Sequence, residues 1–156
     1  MPVKPIPNGY HTVTPYLIVN GAAKALAFYQ QAFGAKELFR MEHPGGKIGH
    51  AEFKIGDSPI MLADEFPEMG ARSPQSLGGT PVSILLYVEN VDQMTEQAVA
   101  AGAKILRPLQ NQFYGDRSAT LADPFGHTWH VATHVEDVSS EEMSKRAEAA
   151  AKEKGG

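Results

Sequence analysis

The chain has 156 residues, 42% of them hydrophobic, enough for a single packed core. Its formal net charge of -4 offers no basic field for nucleic acid, and the lack of cysteine removes thiol nucleophiles, disulfides and thiolate metal sites together. No run approaches membrane-spanning length and Met1 to Pro7 lacks the apolar core of a signal peptide, so the chain reads as cytoplasmic, with no membrane partner.

Residues 1–11 are rich in proline and read as an extended arm. Thr12 to Val19 alternates as a first strand. Asn20-Gly21 turns the chain, and Ala22 to Phe33 sets Ala22, Ala25, Leu26, Tyr29 and Phe33 on one helical face. Gly34 is the expected cap, because glycine takes a positive φ without steric cost. Strands follow at Lys36 to Met41, Lys47 to Ile55 and Pro59 to Ala63, with turns at Pro44-Gly45-Gly46 and Gly56-Asp57-Ser58. Asp64 to Thr80 reads as a surface linker or a flap. A strand at Pro81 to Val88, a helix at Val91 to Ala101 capped by Gly102, and a strand at Lys104 to Leu106 come next. An excursion from Arg107 to Gly115 leads to strands at Arg117 to Ala122 and Thr128 to His134. Ser139-Ser140-Glu141-Glu142 is a capping-box pattern that opens a mostly solvated helical tail.

This order repeats. Two Gly-Ala-Lys units begin at Gly34 and Gly102, 68 residues apart, each following a helix and opening a strand. The organisation is therefore one α+β domain over 12–138 built from two β-α-β-β-β modules, over 12–65 and 81–138, joined by a linker over 66–80 and followed by a tail over 139–156. Modules this small cannot each bury an apolar face alone, so they pack as a pair and function is expected in the cleft between them.

Several segments carry a family resemblance. Gly-Ala-Lys-x-Leu after the first helix and Asp123-Pro124-Phe125-Gly126-His127 before the last strand resemble the vicinal-oxygen-chelate superfamily of glyoxalase, bleomycin-resistance and extradiol-dioxygenase proteins. Thr14-Pro15-Tyr16-Leu17, His50 to Ser58, Met61 to Glu65 and Gly115-Asp116-Arg117 resemble its PhnB-like branch. The resemblance covers about Val13 to Val138. It implies curved sheets that enclose a cleft, helices on their outer faces, and often a homodimer, the commonest closed assembly. It also implies metal-ligand positions on the first and last strands of each module, which here are Thr14, Met61, Ser83 and His130. Of these only His130 is a competent ligand, so no metal and no other cofactor is expected.

On the strand Ile48 to Ile55, Ala51, Phe53 and Ile55 share one face and leave His50 and Glu52 on the other. That pair reads as a general base with its orienting carboxylate, as two ligands of a displaced metal, or as a bonded pair that fixes the sheet. The cleft is expected to be lined by Tyr16, His50, Glu52, Met61, Ser83, Leu85, Tyr87 and His130, and Arg117 is the candidate for gripping an anion at its mouth. Trp129 and Val131, opposite His130, read as core, and His127 as a turn residue.

The leading functional expectation is a small-molecule binding protein without the family's usual metal. An enzyme, either a metal-dependent one of glyoxalase or dioxygenase type with His50, Glu52 and His130 as a displaced ligand set or a metal-free one with His50 as base, and an interaction or regulatory protein with a degenerate pocket, are the alternatives.

Overall fold

The computed structural model describes residues 2–155. Strand β1 (Tyr16–Val19) leads through helix α1 (Ala22–Phe33) to β2 (Lys36–Glu42), β3 (Ile48–Ile55) and β4 (Ser58–Asp64). A 3-10 turn at Pro67–Met69 and a one-turn helix α2 (Pro74–Leu77) form the connection. Then β5 (Ser83–Tyr87), α3 (Val91–Ala101), β6 (Lys104–Asn111), β7 (Asp116–Ala122) and β8 (Thr128–His134) repeat the first order, and α4 (Ser140–Gly155) closes the chain. Each module is a mixed four-stranded sheet, ordered β1-β4-β3-β2 and β5-β8-β7-β6. In both, the first strand runs parallel to the last, with Tyr16 opposite Met61 in one and Leu85 opposite His130 in the other.

The two module helices, α1 and α3, have the expected bounds because local signals agree: apolar residues recur at helical spacing, and α1 ends on Gly34 at φ 70, a left-handed conformation that other residues take only with strain. Their N-termini are held by the closing strands. The Asp64 carboxylate accepts from the backbone of Gly21, Ala22 and Ile48 at 2.8–2.9 Å. Sixty-nine positions on, the Thr133 hydroxyl accepts from Val91 N at 3.0 Å and donates to the Val88 carbonyl.

One core serves both modules. From α1, the Tyr29 ring stacks on Phe53 of its own sheet at 5.3 Å and lies against Trp129 of the other at 5.3 Å, while Phe28 meets Phe125. Tyr29, Phe53, Leu121, Trp129 and Val131 are fully buried. Asp123, in the turn before β8, sits inside this cluster. Its carboxylate accepts from Tyr29 Oη (2.6 Å), Trp129 Nε1 (2.9 Å) and the backbone of Phe125 and His127 (2.8 and 3.0 Å). Burial, and then the Asp123 charge, push the Tyr29 phenol well up. Gln97 of α3 adds amide bonds to the carbonyls of Gln31 and Ala32 at the end of α1.

The first and sixth strands differ most from expectation. The first strand starts at Tyr16, since residues before it have no ladder partner beyond the Pro15 carbonyl, which accepts from Met61 N. The sixth strand extends to Asn111, and the expected excursion over its second half is strand with register shifts. Pro108 is tolerated there because β6 is an edge. The connection is a pinned flap: Glu65 accepts from Ser73 N at 2.7 Å and from the Ser76 hydroxyl, and Gln75 donates to the Pro124 carbonyl at 3.0 Å. The tail is helical through Gly155, and its first half is tied down where Arg146 bridges Glu136 (2.7 Å), Glu142 (3.1 Å) and the Phe113 carbonyl.

Two outcomes follow for stability. Asp123→Ala strands two buried side-chain donors and two backbone donors, and chemical denaturation should find a loss of at least about 3 kcal/mol. Glu65 is held down to about 2 from 4.5, first by Ser73 and then by Ser76. Its carboxylate therefore stabilises the flap above the unfolded value and ceases to do so as the pH falls through the folded one. Amide exchange at Ser73 and Ser76 should accelerate between pH 4.5 and 2 relative to a Glu65→Gln protein, whose flap stays equally loose across that range.

Candidate functional site

Strand alternation sends Ala51, Phe53 and Ile55 under α1, with at most 6% exposure, and turns His50 and Glu52 to the helix-free face of sheet one. There they form a continuous chain. His50 Nε2 meets the Glu52 carboxylate at 2.9 Å, and the Tyr16 hydroxyl meets His50 Nδ1 at 2.8 Å. A carboxylate only accepts, so Nε2 carries the ring proton and Nδ1 accepts from Tyr16. Burial pushes the Tyr16 phenol up. The second oxygen of Glu52 accepts from the hydroxyl of Tyr10, on the N-terminal arm. Glu52 and Met61, with Thr14 and the arm, line a cavity of about 430 Å³.

Sheet two carries a second group. His130 Nδ1 lies 2.9 Å from the Thr120 hydroxyl and Nε2 lies 3.0 Å from the Ser83 hydroxyl. Arg107 stands opposite Thr120 on β6 and joins Ser83, Thr120 and His130 around a groove of about 380 Å³. Farther along the same sheet, Tyr87 donates to the buried Asp116 carboxylate at 2.8 Å, and His134 bridges Asp116 (2.8 Å) and Asp137 (2.7 Å). With a carboxylate on each nitrogen, Asp116 the stronger influence, the His134 imidazole is pushed up. Leu85 and Tyr87 border a cavity of about 670 Å³ shared with the β3–β4 turn.

The residues expected around one cleft thus form two polar groups on two sheets: Tyr16, His50, Glu52 and Met61 on the first, Ser83, Leu85, Tyr87 and His130 on the second. Arg117 belongs to neither. It shares the helix-facing side of β7 with Ala119 and Leu121, and its guanidinium makes a two-pronged pair with Asp92 of α3 at 2.8 and 2.9 Å and is not turned to a ligand at the cleft mouth. Arg107 is the arginine beside His130, and sequence reasoning missed it by reading its segment as loop. Tyr10 was also missed, since nothing local signals a contact 42 residues away.

A catalytic divalent metal of the kind the fold implies does not fit these positions. A hydroxyl (Thr14), a thioether (Met61) and a second hydroxyl (Ser83) replace imidazole and carboxylate, and both nitrogens of His130 already face hydroxyls. Among the described residues no three His, Asp or Glu side chains converge to hold a metal ion, and no helix is long and apolar enough to cross a membrane.

Comparison with known proteins agrees with this architecture. An uncharacterized protein of Mycobacterium tuberculosis is 44% identical over 134 residues, covering 84% of this chain and 79% of its own. The PA1353 protein of Pseudomonas aeruginosa superposes with a TM-score of 0.65 at 25% identity, over 81% of this chain and 99% of its own. The PhnB protein of Bacillus cereus shares the fold, with a TM-score of 0.62 at 19% identity over 79% and 99%. The Glyoxalase/Bleomycin resistance protein/Dioxygenase superfamily profile matches residues 10–131, a stretch that takes in both β-α-β-β-β modules as far as β8, and the chain belongs to that superfamily.

Proposed function

We propose that this chain is a cytoplasmic protein that binds a small organic molecule against the helix-free sheet faces, as a homodimer and without a resident divalent metal. The observation that carries this reading is apolar exposure around the polar groups. Tyr16 is 48% exposed, Phe39 and Met41 49%, Leu85 47% and Tyr87 64%. Phe39 and Met41 lie opposite Glu52 and His50 in the β2–β3 register, and Leu85 lies opposite His130. Aromatic and aliphatic surface with a few convergent hydrogen-bonding groups is the make-up of a small-molecule site. Large apolar side chains exposed on two sheet faces also favour covering by a second copy, which would join a sheet-one group to a sheet-two group across the interface.

A second reading has its own support in the Glu52–His50–Tyr16 chain. Glu52 orients the imidazole, so a proton taken up at Tyr16 Oη can be matched by release of the phenolic proton to His50 Nδ1. On this reading the sheet-one group is a general base for an organic acid.

Native mass spectrometry of freshly purified protein tests the main reading. The expected result is a species of twice the 16.9 kDa chain mass, free of stoichiometric metal after dialysis. A monomer across micromolar concentrations removes the dimer, and about one metal ion per chain removes the metal-free site. For the molecule that copurifies, His50→Ala and His130→Ala should weaken binding while the proteins keep their fold. Trp129→Ala should instead lose about 3 to 5 kcal/mol of stability, measured by denaturation, as a buried aromatic does.

A further inference from the structure

A separate crevice lies at the seam between the modules. Tyr16 and Ile18 of β1 form one wall, and Ile84 and Thr128 of the second sheet form the other. The flap roofs it with Leu77, and Arg72 stands at its rim, around about 280 Å³. That is just below the roughly 300 Å³ at which cavities for drug-sized ligands begin, and suits a smaller molecule. Its floor is closed by the bond from the His127 ring to the Ile18 carbonyl, 3.0 Å.

The roof is held to both modules. Glu65 of module one fixes Ser73 and Ser76, and Gln75 is bonded to Pro124 of module two. Pro74 packs so closely on Gly126 that a Cβ there would come within 2.8 Å of it, at a φ of 93. The crevice is therefore preformed, and a ligand entering it need not order the loop above it.

Its charge is unbalanced. Arg40, Arg117 and Arg146 each hold carboxylates, whereas the exposed Arg72 makes no hydrogen bond or ion pair among the described residues. An unpaired guanidinium over a mostly apolar slot calls for a ligand with one planar anionic end and an apolar body. One guanidinium matches a carboxylate by two parallel N–H bonds. Apart from His127, whose ring is already bonded to the Ile18 carbonyl, the crevice lining holds no second basic side chain to offset the further charge of a phosphoryl dianion.

We infer that the inter-module crevice is a binding site for a small apolar monocarboxylate, with its carboxylate on Arg72 and its body between Tyr16, Ile84 and Leu77. The site lies within a single chain, needs no second copy, and shares only Tyr16 with the sheet-one group. The test is an amide ¹H–¹⁵N titration with 3-phenylpropionate and, in parallel, with its neutral analogue 3-phenylpropionamide. The carboxylate should give saturable shifts at Ile18, Leu77, Ile84 and Thr128, and the amide should bind about tenfold more weakly or worse. Arg72→Gln, an exposed change that spares the core, should bring the carboxylate down to the amide's affinity. Ile84→Trp should fill the slot and abolish both. Equal affinities for the two probes, an unchanged Arg72→Gln protein, or shifts centred on Arg107 and His130 would each overturn the proposal. Shifts at Leu77 and Val82 that depend on protein concentration without any probe would assign the crevice to a second copy and overturn it as well.

Discussion

A carboxylate shut away from water must be met by donors, and Asp123 is met by four. Two are the backbone groups of its own turn, which fixes the entry into β8. The others are Trp129, on that strand, and Tyr29, on the helix of the other module. The Tyr29 bond places α1 against the second sheet, and the Tyr29–Phe53 stack carries the placement on to the first sheet. With both helices committed to the shared core, each sheet keeps one face free of helix, and the polar groups described above lie on those faces. The geometry of the candidate site is thus inherited from a turn that takes no part in it.

The repeat makes the divergence of the two halves readable. Glu52 faces Met61 across one sheet where Thr120 faces His130 across the other. One half has its acid and imidazole on neighbouring positions of β3, and the other has its imidazole on β8 between two hydroxyls. Even the helix-capping group differs, Asp64 in the first half and Thr133 in the second. The backbone frame is duplicated while its chemistry is not, so the two faces offer unlike surfaces to a ligand: a proton chain on one and a guanidinium-flanked imidazole on the other.

Much of the frame was legible in the sequence. The helices at Ala22 and Val91 declared themselves by spacing and a following glycine, and the face of His50 and Glu52 followed from alternation with Ala51 and Phe53. The same rule, applied to β7, turns Arg117 toward the helix with Ala119 and Leu121. Arg107 was hidden because Pro108 reads as a loop signal, and only the edge position of β6 makes proline acceptable in a strand. Tyr10 owes its place to its bond with Glu52, and Arg72 to the pinning of the flap that follows it, and no local pattern encodes either.

The shared core bears on how copies of the chain can associate. A chain that traded its second module for a neighbour's would have to unstack Tyr29 from Trp129, strip Asp123 of its cross-module donor and release a connection stitched to both halves through Glu65 and Gln75. The hinge that domain exchange requires is here a brace. Exchange would meet a barrier close to that of global unfolding, and an assembly formed from folded chains is one of intact protomers, free to dissociate on dilution without any chain coming undone.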